Sequence, residues 1–450
     1  MIVRGPSIDP AVLGDVGADE AELWLHRRRS AITRYAKNQI HQNALADESY
    51  VQARVVIGKA VGIAAGNSLE PSDLRRLMRD ARAAASESAP NAEWPGLARP
   101  QAIPEPRSYD AATAQADAAA QANAIRTITA AAAARGMRAA GTHQIEVVEE
   151  ELVNTNGARW WAPASLAYLR ALVTSDTGTG WAEDLGWSTS ALDAAGVAAR
   201  AIEKAALDRD RTQLEPGDYE AVFEELAVAE VLRFMSLTGL TGQTLKDGRS
   251  FMKDRIGEHV TGASFSLWDD ALDPRTLAIP FDPEGTPKRR VALVERGVAK
   301  GVVHDRQSAR WFDTDSTGHA ADPRRYAVGG HAANLTMAGG EATREQLIAA
   351  VKRGVLITRF HYTNTPDPKR ATMTGTTRDG TFLIENGRIT RALANVRYTM
   401  SALDLFSGIE LMGPQRLARD WWSSNGMGSI VCLCPPIKVA RATITGSSPI

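Results

Sequence analysis

Apolar and polar positions alternate from Glu20 to Gly66, with Leu23 and Leu25 on one face and Val55 to Ile57 forming an apolar run, which predicts a series of strands with a long polar face. Pro71 suits the first turn of a helix, and Leu74, Leu77 and Met78 give the segment Ser72 to Ala85 an apolar stripe. The proline-rich stretch 86–107 reads as a loop over the surface or a hinge. Residues 109–140 are so rich in alanine, with Ile125 and Ile128 in phase, that one closely packed helix is expected there. His143 to Asn154 and Ala158 to Thr174 then flank Asn154-Thr155-Asn156-Gly157 as a long hairpin. Asp193 is placed to cap a helix running through Leu207.

Further on, Tyr219 to Glu224 reads as a strand and Leu226 to Phe234 as a helix, with Leu226, Ala229 and Phe234 in the core and Glu230 and Arg233 as a surface pair. Thr343-Arg344-Glu345-Gln346 has the form of a capping box, in which the Thr343 hydroxyl and the Gln346 side chain each bond the other's backbone amide. The helix it opens is expected to close at Gly354, followed by a strand from Val355 to Tyr362 and a loop from Thr363 to Lys369. A strand, turn, strand, turn, strand series follows from Ala371 to Thr399, its turns at Arg378-Asp379-Gly380 and Asn386-Gly387. Both residues of Asn386-Gly387 tolerate positive φ, so a two-residue turn sets Glu385 opposite Arg388 as an ion pair and Ile384 opposite Ile389. Ser401 to Asp404 offers a second cap, with Leu403, Phe406 and Ile409 on a buried stripe ending near Gly413.

A chain of 450 residues exceeds what one core ordinarily serves, so two domains are expected, 1–214 and 215–450, meeting at Leu214-Glu215-Pro216-Gly217-Asp218. The fold class is α+β. The first domain mixes antiparallel strands with long helices, and the second is rich in antiparallel sheet with flanking helices. The 52 basic and 53 acidic residues balance, which leaves no electrostatic footprint for nucleic acid. No apolar run approaches membrane-spanning length, and Met1 to Glu20 lacks the basic and apolar regions of a secretory leader. Two cysteines in so long a chain fit a reducing, cytoplasmic setting.

The eight histidines, at 26, 41, 143, 259, 304, 319, 331 and 361, contain no pair at helical spacing. Cys432 and Cys434 share one face of a strand that Pro435-Pro436 must end, where small buried hydrophobes are expected. The glycine-rich segment Thr177 to Gly186 lacks the lysine of a phosphate loop and is expected to be a mobile turn near a partner. Trp160 and Trp161 divide evenly between core and interface, whereas Trp421 and Trp422 lean toward a contact surface.

Taken in order, Ile32 to Asn43, Val153-Asn154-Thr155-Asn156-Gly157, Gly248-Arg249-Ser250-Phe251, Phe281 to Pro287, Val294 to Val298, Asp305 to Arg310, Lys352 to Thr358 and Ile384 to Ile389 resemble the TldD/TldE (PmbA) family of bacterial peptidases over roughly Ala21 to Gly446. That resemblance implies a zinc ion held by an H-E-x-x-x-H helix in the catalytic, TldD side of the family, where a glutamate polarises metal-bound water. This chain has no such stretch, and Leu226 to Phe234 stands in its place. The departure points to the TldE, or PmbA, side. What is then implied is a metal-free subunit that joins a TldD-like, zinc-bearing partner to cut unfolded or ribosomally made peptides, with no catalytic, cofactor-binding or metal-binding residue of its own. The alternatives are a non-proteolytic peptide-binding or scaffold protein of the same fold, and a self-sufficient metallopeptidase with a dispersed site joining His259, His361 and Cys434.

Overall fold

The computed structural model describes residues 3–14, 16–324, 329–419 and 430–447. The first sheet is wholly antiparallel and contains β1 (Glu20–Ala36), β2 (Gln39–Ile57), β3 (Ala60–Gly66), β4 (Arg138–Asn154), β5 (Arg159–Thr174) and β6 (Thr179–Gly186), in the order β3-β2-β1-β4-β5-β6. The β1–β2 turn at Lys37-Asn38 has positive φ at both residues, as a two-residue hairpin requires. One end of this sheet packs on α1 (Pro71–Glu87), through Leu74, Leu77, Met78 and Ala81 against Leu23, Leu25 and Val55. The alanine-rich segment is two helices and not one, α2 (Ala111–Gln115) and α3 (Ala118–Ala133). Alanine continues a helix anywhere, but Asp117 leaves the helical conformation to cap a new one, its carboxylate accepting from the Ala120 amide. Strand β4 then begins at Arg138, inside the span where helix was expected.

The glycine-rich segment is also not a mobile turn. It is strand β6, and α4 (Ala194–Leu207), capped by Asp193 as expected, lies directly on it. A Cβ at Gly180 would stand 2.0 Å from the Ala201 carbonyl oxygen, and one at Gly178 would stand 1.8 Å from that of Asp208. These glycines let a helix backbone approach the strand.

After β7 (Gly217–Phe223) and α5 (Glu225–Gly239), two further sheets form. One is built of six short strands, among them Leu267–Asp269, Asn334–Met337 and Val431–Cys434. In the other, Arg353–Asp367, β7, Ile437–Ser447, Val396–Ser401 and Thr372–Glu385 pair in that order, and Thr372–Glu385 pairs again with Arg353–Asp367, so the five strands close into a ring. The expected mixture of antiparallel sheet and helix is what the chain adopts. Among the described residues no helix is long and apolar enough to cross a membrane.

The Thr343 capping box forms in both directions, but its helix stops at Ala349. Gly354 is instead a strand residue squeezed against β7, where a Cβ would lie 2.2 Å from the Glu220 carbonyl oxygen. The strand runs on through Asp367 before the short helix Pro368–Arg370, so Thr363 to Asp367 is paired chain and not loop. Arg378-Asp379-Gly380 does not reverse the chain. It is a bulge within Thr372–Glu385, with φ of 55° at Asp379 and 128° at Gly380, and it shifts the register against Ile357 and Arg359. Asn386-Gly387 gives the expected register, Glu385 opposite Arg388 and Ile384 opposite Ile389. The Glu385 carboxylate, however, accepts from the Thr390 hydroxyl at 2.9 Å. Ser401 caps its helix through the Asp404 amide, and that helix ends at Ser407, leaving Ile409 to start a strand.

Candidate site on the helix Glu225–Gly239

Helix α5 is buried on nearly every side because β7, Arg353–Asp367 and Val431–Cys434 all pack on it. Leu226, Ala229, Leu232 and Met235 join the largest core cluster, and Phe234 packs partly buried against it. Before the helix, Glu224 pairs with Lys204 and, at 3.4 Å, with Arg344. Burial works against the Glu224 charge, but these two cations hold its carboxyl below the ordinary range. Beside it a cleft of about 310 Å³ is walled by Val222, Leu226, Leu347 and Pro436. The rim cations Lys204, Arg344 and Arg416 are paired with Glu224, Glu203 and Glu225, so an apolar group fits this cleft better than an anion.

Ala229, Glu230 and Phe234 stand at the spacing of H-E-x-x-x-H. Glu230 and Arg233 do not form the surface pair that spacing suggested. Glu230 is 1% exposed and its carboxylate accepts from the Thr363 hydroxyl, which in turn lies 2.6 Å from the Tyr398 hydroxyl. Burial, with the Glu230 charge beside it, pushes the Tyr398 phenol well above its usual range. Arg233 lies over the ring of Phe234, 5.1 Å from its centroid. Thr363 reaches Glu230 from the irregular stretch between His361 and Asn364, where Tyr362 has a φ of 53°. A carboxylate on an apolar helix needs a donor to be buried, and no spacing rule placed Thr363 or Tyr398 near it.

Cys432 and Cys434 face α5 from Val431–Cys434, their sulfurs 3.7 Å from the Ala229 carbonyl oxygen and 3.4 Å from that of Glu225. Both are buried free thiols, as expected, and burial pushes the Cys434 thiol well up. The helix therefore offers one soft sulfur near position 229, no donor atom at Ala229 or on the Phe234 ring, and a glutamate bonded to the Thr363 hydroxyl. This donor set does not fit the zinc that the H-E-x-x-x-H pattern would hold. His259 is exposed and bridges Val298, whereas His361 is half-buried beside Arg378, where burial and then Arg378 and Arg359 lower its imidazole to about 4. Among the described residues no three His, Cys, Asp or Glu side chains are grouped to hold a metal.

The face of β5 and β6 turned toward the ring of strands carries a second cluster that the sequence did not disclose. Trp181 lies between two guanidinium groups, Arg170 at 4.9 Å and Arg359 at 4.2 Å from its centroid, and its indole donates to Glu183. Glu183 also accepts from the Tyr168 hydroxyl at 2.8 Å, and Arg419 covers the Tyr168 ring. Arg359 is bound to Asp379 in the bulge, and Asp379 accepts from Thr179 of β6. The bulge thus aims a carboxylate at the first sheet.

Trp160 and Trp187 fasten the same two bodies of chain together. Trp160 donates to the Gly285 carbonyl and Trp187 to that of Pro274, both at 2.9 Å, so their surroundings lie within the molecule. Trp421 and Trp422 lie outside the described residues. The proline-rich loop is a further brace. Arg306 donates to the Gly96 and Leu97 carbonyls, and Trp94 donates to Glu20. Under it Glu22, paired with Arg54 at 3.0 Å, has its carboxyl raised by burial to about 7.

A family model described as the PmbA/TldA metallopeptidase C-terminal domain matches residues 216–446, and the chain belongs to this PmbA/TldD metallopeptidase family. Among curated relatives, the Metalloprotease TldD homolog of Haemophilus influenzae is 25% identical over 183 residues, 39% of this chain and 36% of that protein. The Metalloprotease TldD homolog of Buchnera aphidicola is 25% identical over 195 residues, 42% of this chain and 38% of that protein. The chain thus spans little more than a third of the length of these relatives. Among solved structures, TldE from Thermococcus kodakarensis shares the fold with a TM-score of 0.86 at 20% identity, covering 95% of this chain and 97% of that one.

Proposed function

We propose that this chain is the metal-free, TldE-like subunit of a two-subunit zinc peptidase, working in the cytoplasm with a TldD-like partner that holds the metal and activates water for cleavage of unfolded or ribosomally made peptides. The observation that carries the proposal is the state of helix α5. In the stretch Leu226 to Phe234 the positions spaced about Glu230 as the pattern's imidazoles would be are Ala229 and Phe234, and Glu230 is bound to the Thr363 hydroxyl in the core. A glutamate so placed is a structural acceptor and does not act as a general base. This subunit's role is to complete and shape the chamber around the peptide.

The test is reconstitution. The purified chain alone should carry no stoichiometric zinc and cleave no unfolded peptide, and cleavage should appear when a subunit bearing the two-histidine helix is added. Zinc bound one to one by the lone chain, or hydrolysis without the partner, defeats the proposal.

A further inference from the structure

Helices α3 and α4 cover one face of the first sheet, through Tyr35, Ala139, Leu169 and Ala182. On the opposite face Trp24, Leu152 and Leu166 pack on Leu277, Ile279 and Phe281. Farther along that face, where side chains two apart on a strand point the same way, Ile32, Thr142, Gln144 and Tyr168 line an open cavity of about 540 Å³. Arg34 of β1 stands opposite Thr142 of β4, and Thr142 opposite Arg170 of β5, so two arginines flank a hydroxyl in one cross-strand row. Two strand spacings separate their backbones by roughly 10 Å, a gap their side chains can close on a ligand. Among the described residues neither guanidinium has a carboxylate partner: Arg34 donates to the Gln42 side chain at 3.2 Å, and Arg170 lies over Trp181 with its Nε enclosed and unbonded. The neighbouring acids are engaged elsewhere, Glu146 accepting from Arg28 at 2.7 Å and Glu183 from Tyr168 and Trp181. Arg170 is also fixed in place. Its carbonyl accepts from the Tyr35 hydroxyl at 2.8 Å, across a gap where a Cβ on Gly141 would stand 2.0 Å from that oxygen.

We propose that this row grips a carboxylate of a peptide, the chain-terminal one or that of an acidic side chain, between Arg34 and Arg170, with the Thr142 hydroxyl as a further donor. A guanidinium presents paired N–H groups in the plane that a carboxylate matches, and an enclosed nitrogen without a partner favours the ligand that brings an acceptor. The cavity is larger than a lone inorganic anion needs, and Ile32 and Tyr168 give the apolar atoms of a peptide a surface to lie on. Arg419, stacked 3.6 Å from the centroid of the Tyr168 ring, adds to the positive potential of this face.

The two-subunit reading gives such a grip its use, holding one end of a peptide. Binding is nevertheless read on the lone chain, without partner or cleavage, so its failure and the failure of reconstitution are told apart. In fluorescence anisotropy at about 0.15 M salt, an N-dansylated peptide of glycine, serine and leucine with a free carboxyl end should bind about tenfold more tightly than its amidated form. An amidated peptide carrying one glutamate tells the two sources apart: recovered affinity extends the grip to acidic side chains, and none confines it to the chain end. Arg34→Gln should weaken the binding of the free peptide about tenfold with an unchanged thermal midpoint. Arg441→Gln, at a site 63% exposed on the ring of strands, should bind as the parent chain does. Equal affinity for the free, amidated and glutamate-bearing peptides overturns the proposal. So does an Arg34→Gln chain that binds like the parent, or an equal loss from Arg441→Gln.

Discussion

The hydroxyl of Thr363 donates to the carboxylate of Glu230, which joins the irregular part of strand Arg353–Asp367 to the buried face of helix α5. With Tyr398 hydrogen-bonded to the same threonine, the three groups form one enclosed polar chain in an otherwise apolar core. Removing the carboxylate leaves the Thr363 hydroxyl in the core without its acceptor. Glu230→Ala should cost about 2–4 kcal/mol, combining a lost buried hydrogen bond with a small cavity. Glu230→Gln keeps an acceptor and should cost less than about 1.5 kcal/mol. In the reconstituted peptidase, Glu230→Gln should leave kcat within a few-fold. A loss of about a hundredfold or more, the scale expected for a general base, would give Glu230 a chemical role.

Arg359 and Asp379 are both nearly enclosed, at 7% and 8% side-chain exposure. Asp379→Asn tolerates the same left-handed backbone but strands the guanidinium, and should destabilise the chain by about 3–5 kcal/mol in urea unfolding. Thr179→Val removes only one hydrogen bond, 3.2 Å long, to the same carboxylate and leaves the charge pair in place, so it should cost about 1.5 kcal/mol. Equal effects from the two substitutions would show that the bulge is not held by its charge pair.

Gly180→Ala should be far more damaging than its one added methyl suggests, because α4 must move off β6 to admit it. A loss of about 2–3 kcal/mol is expected. Gly136→Ala, at a turn with open space around it but a φ of 68°, should lose about 1 kcal/mol through backbone strain alone. Thermal unfolding of the two variants in parallel checks the order, which reverses if β6 is loosely held.

Burial lifts the Glu22 carboxyl from its usual 4.5 to about 7 against the pull of Arg54. The folded state therefore holds a proton that the unfolded chain has already released. The associated stability is complete below about pH 4.5 and is lost as pH rises through about 7. Glu22→Gln, which resembles the protonated acid, should gain on the parent chain in thermal midpoint between pH 5.5 and 8.5. A midpoint difference that stays flat across that range would place no titration at Glu22.

Where a local rule acted alone, the elements were legible. The Asn386-Gly387 register, the Thr343 box and the Asp193 cap depend on residues within a few positions of one another, and each stands where its chemistry put it. The absence of paired histidines on α5 was equally plain in the sequence. What could not be read there depends on distant chain. Gly354, Gly178 and Gly180 look like ends and turns until the backbone that crowds them is present, and Arg378-Asp379-Gly380 looks like a reversal because positive φ serves a bulge as well as a turn. The spacing of Glu230 and Arg233 reads as a surface pair, but a helix flanked by strands on several sides has no polar face to show, and Glu230 is buried. Its donor Thr363 comes from 133 positions further along the chain, and nothing short of the fold brings the two together.

The ring of five strands also fixes an order of events during synthesis. The first sheet is complete once β6 has been made, but in the ring β7 lies between Arg353–Asp367 and Ile437–Ser447, so it waits for a neighbour more than two hundred residues downstream. On the ribosome the amino-terminal sheet can settle while the carboxy-terminal half still lacks a strand, and a chain that stalls before Ile437 emerges with that ring unclosed.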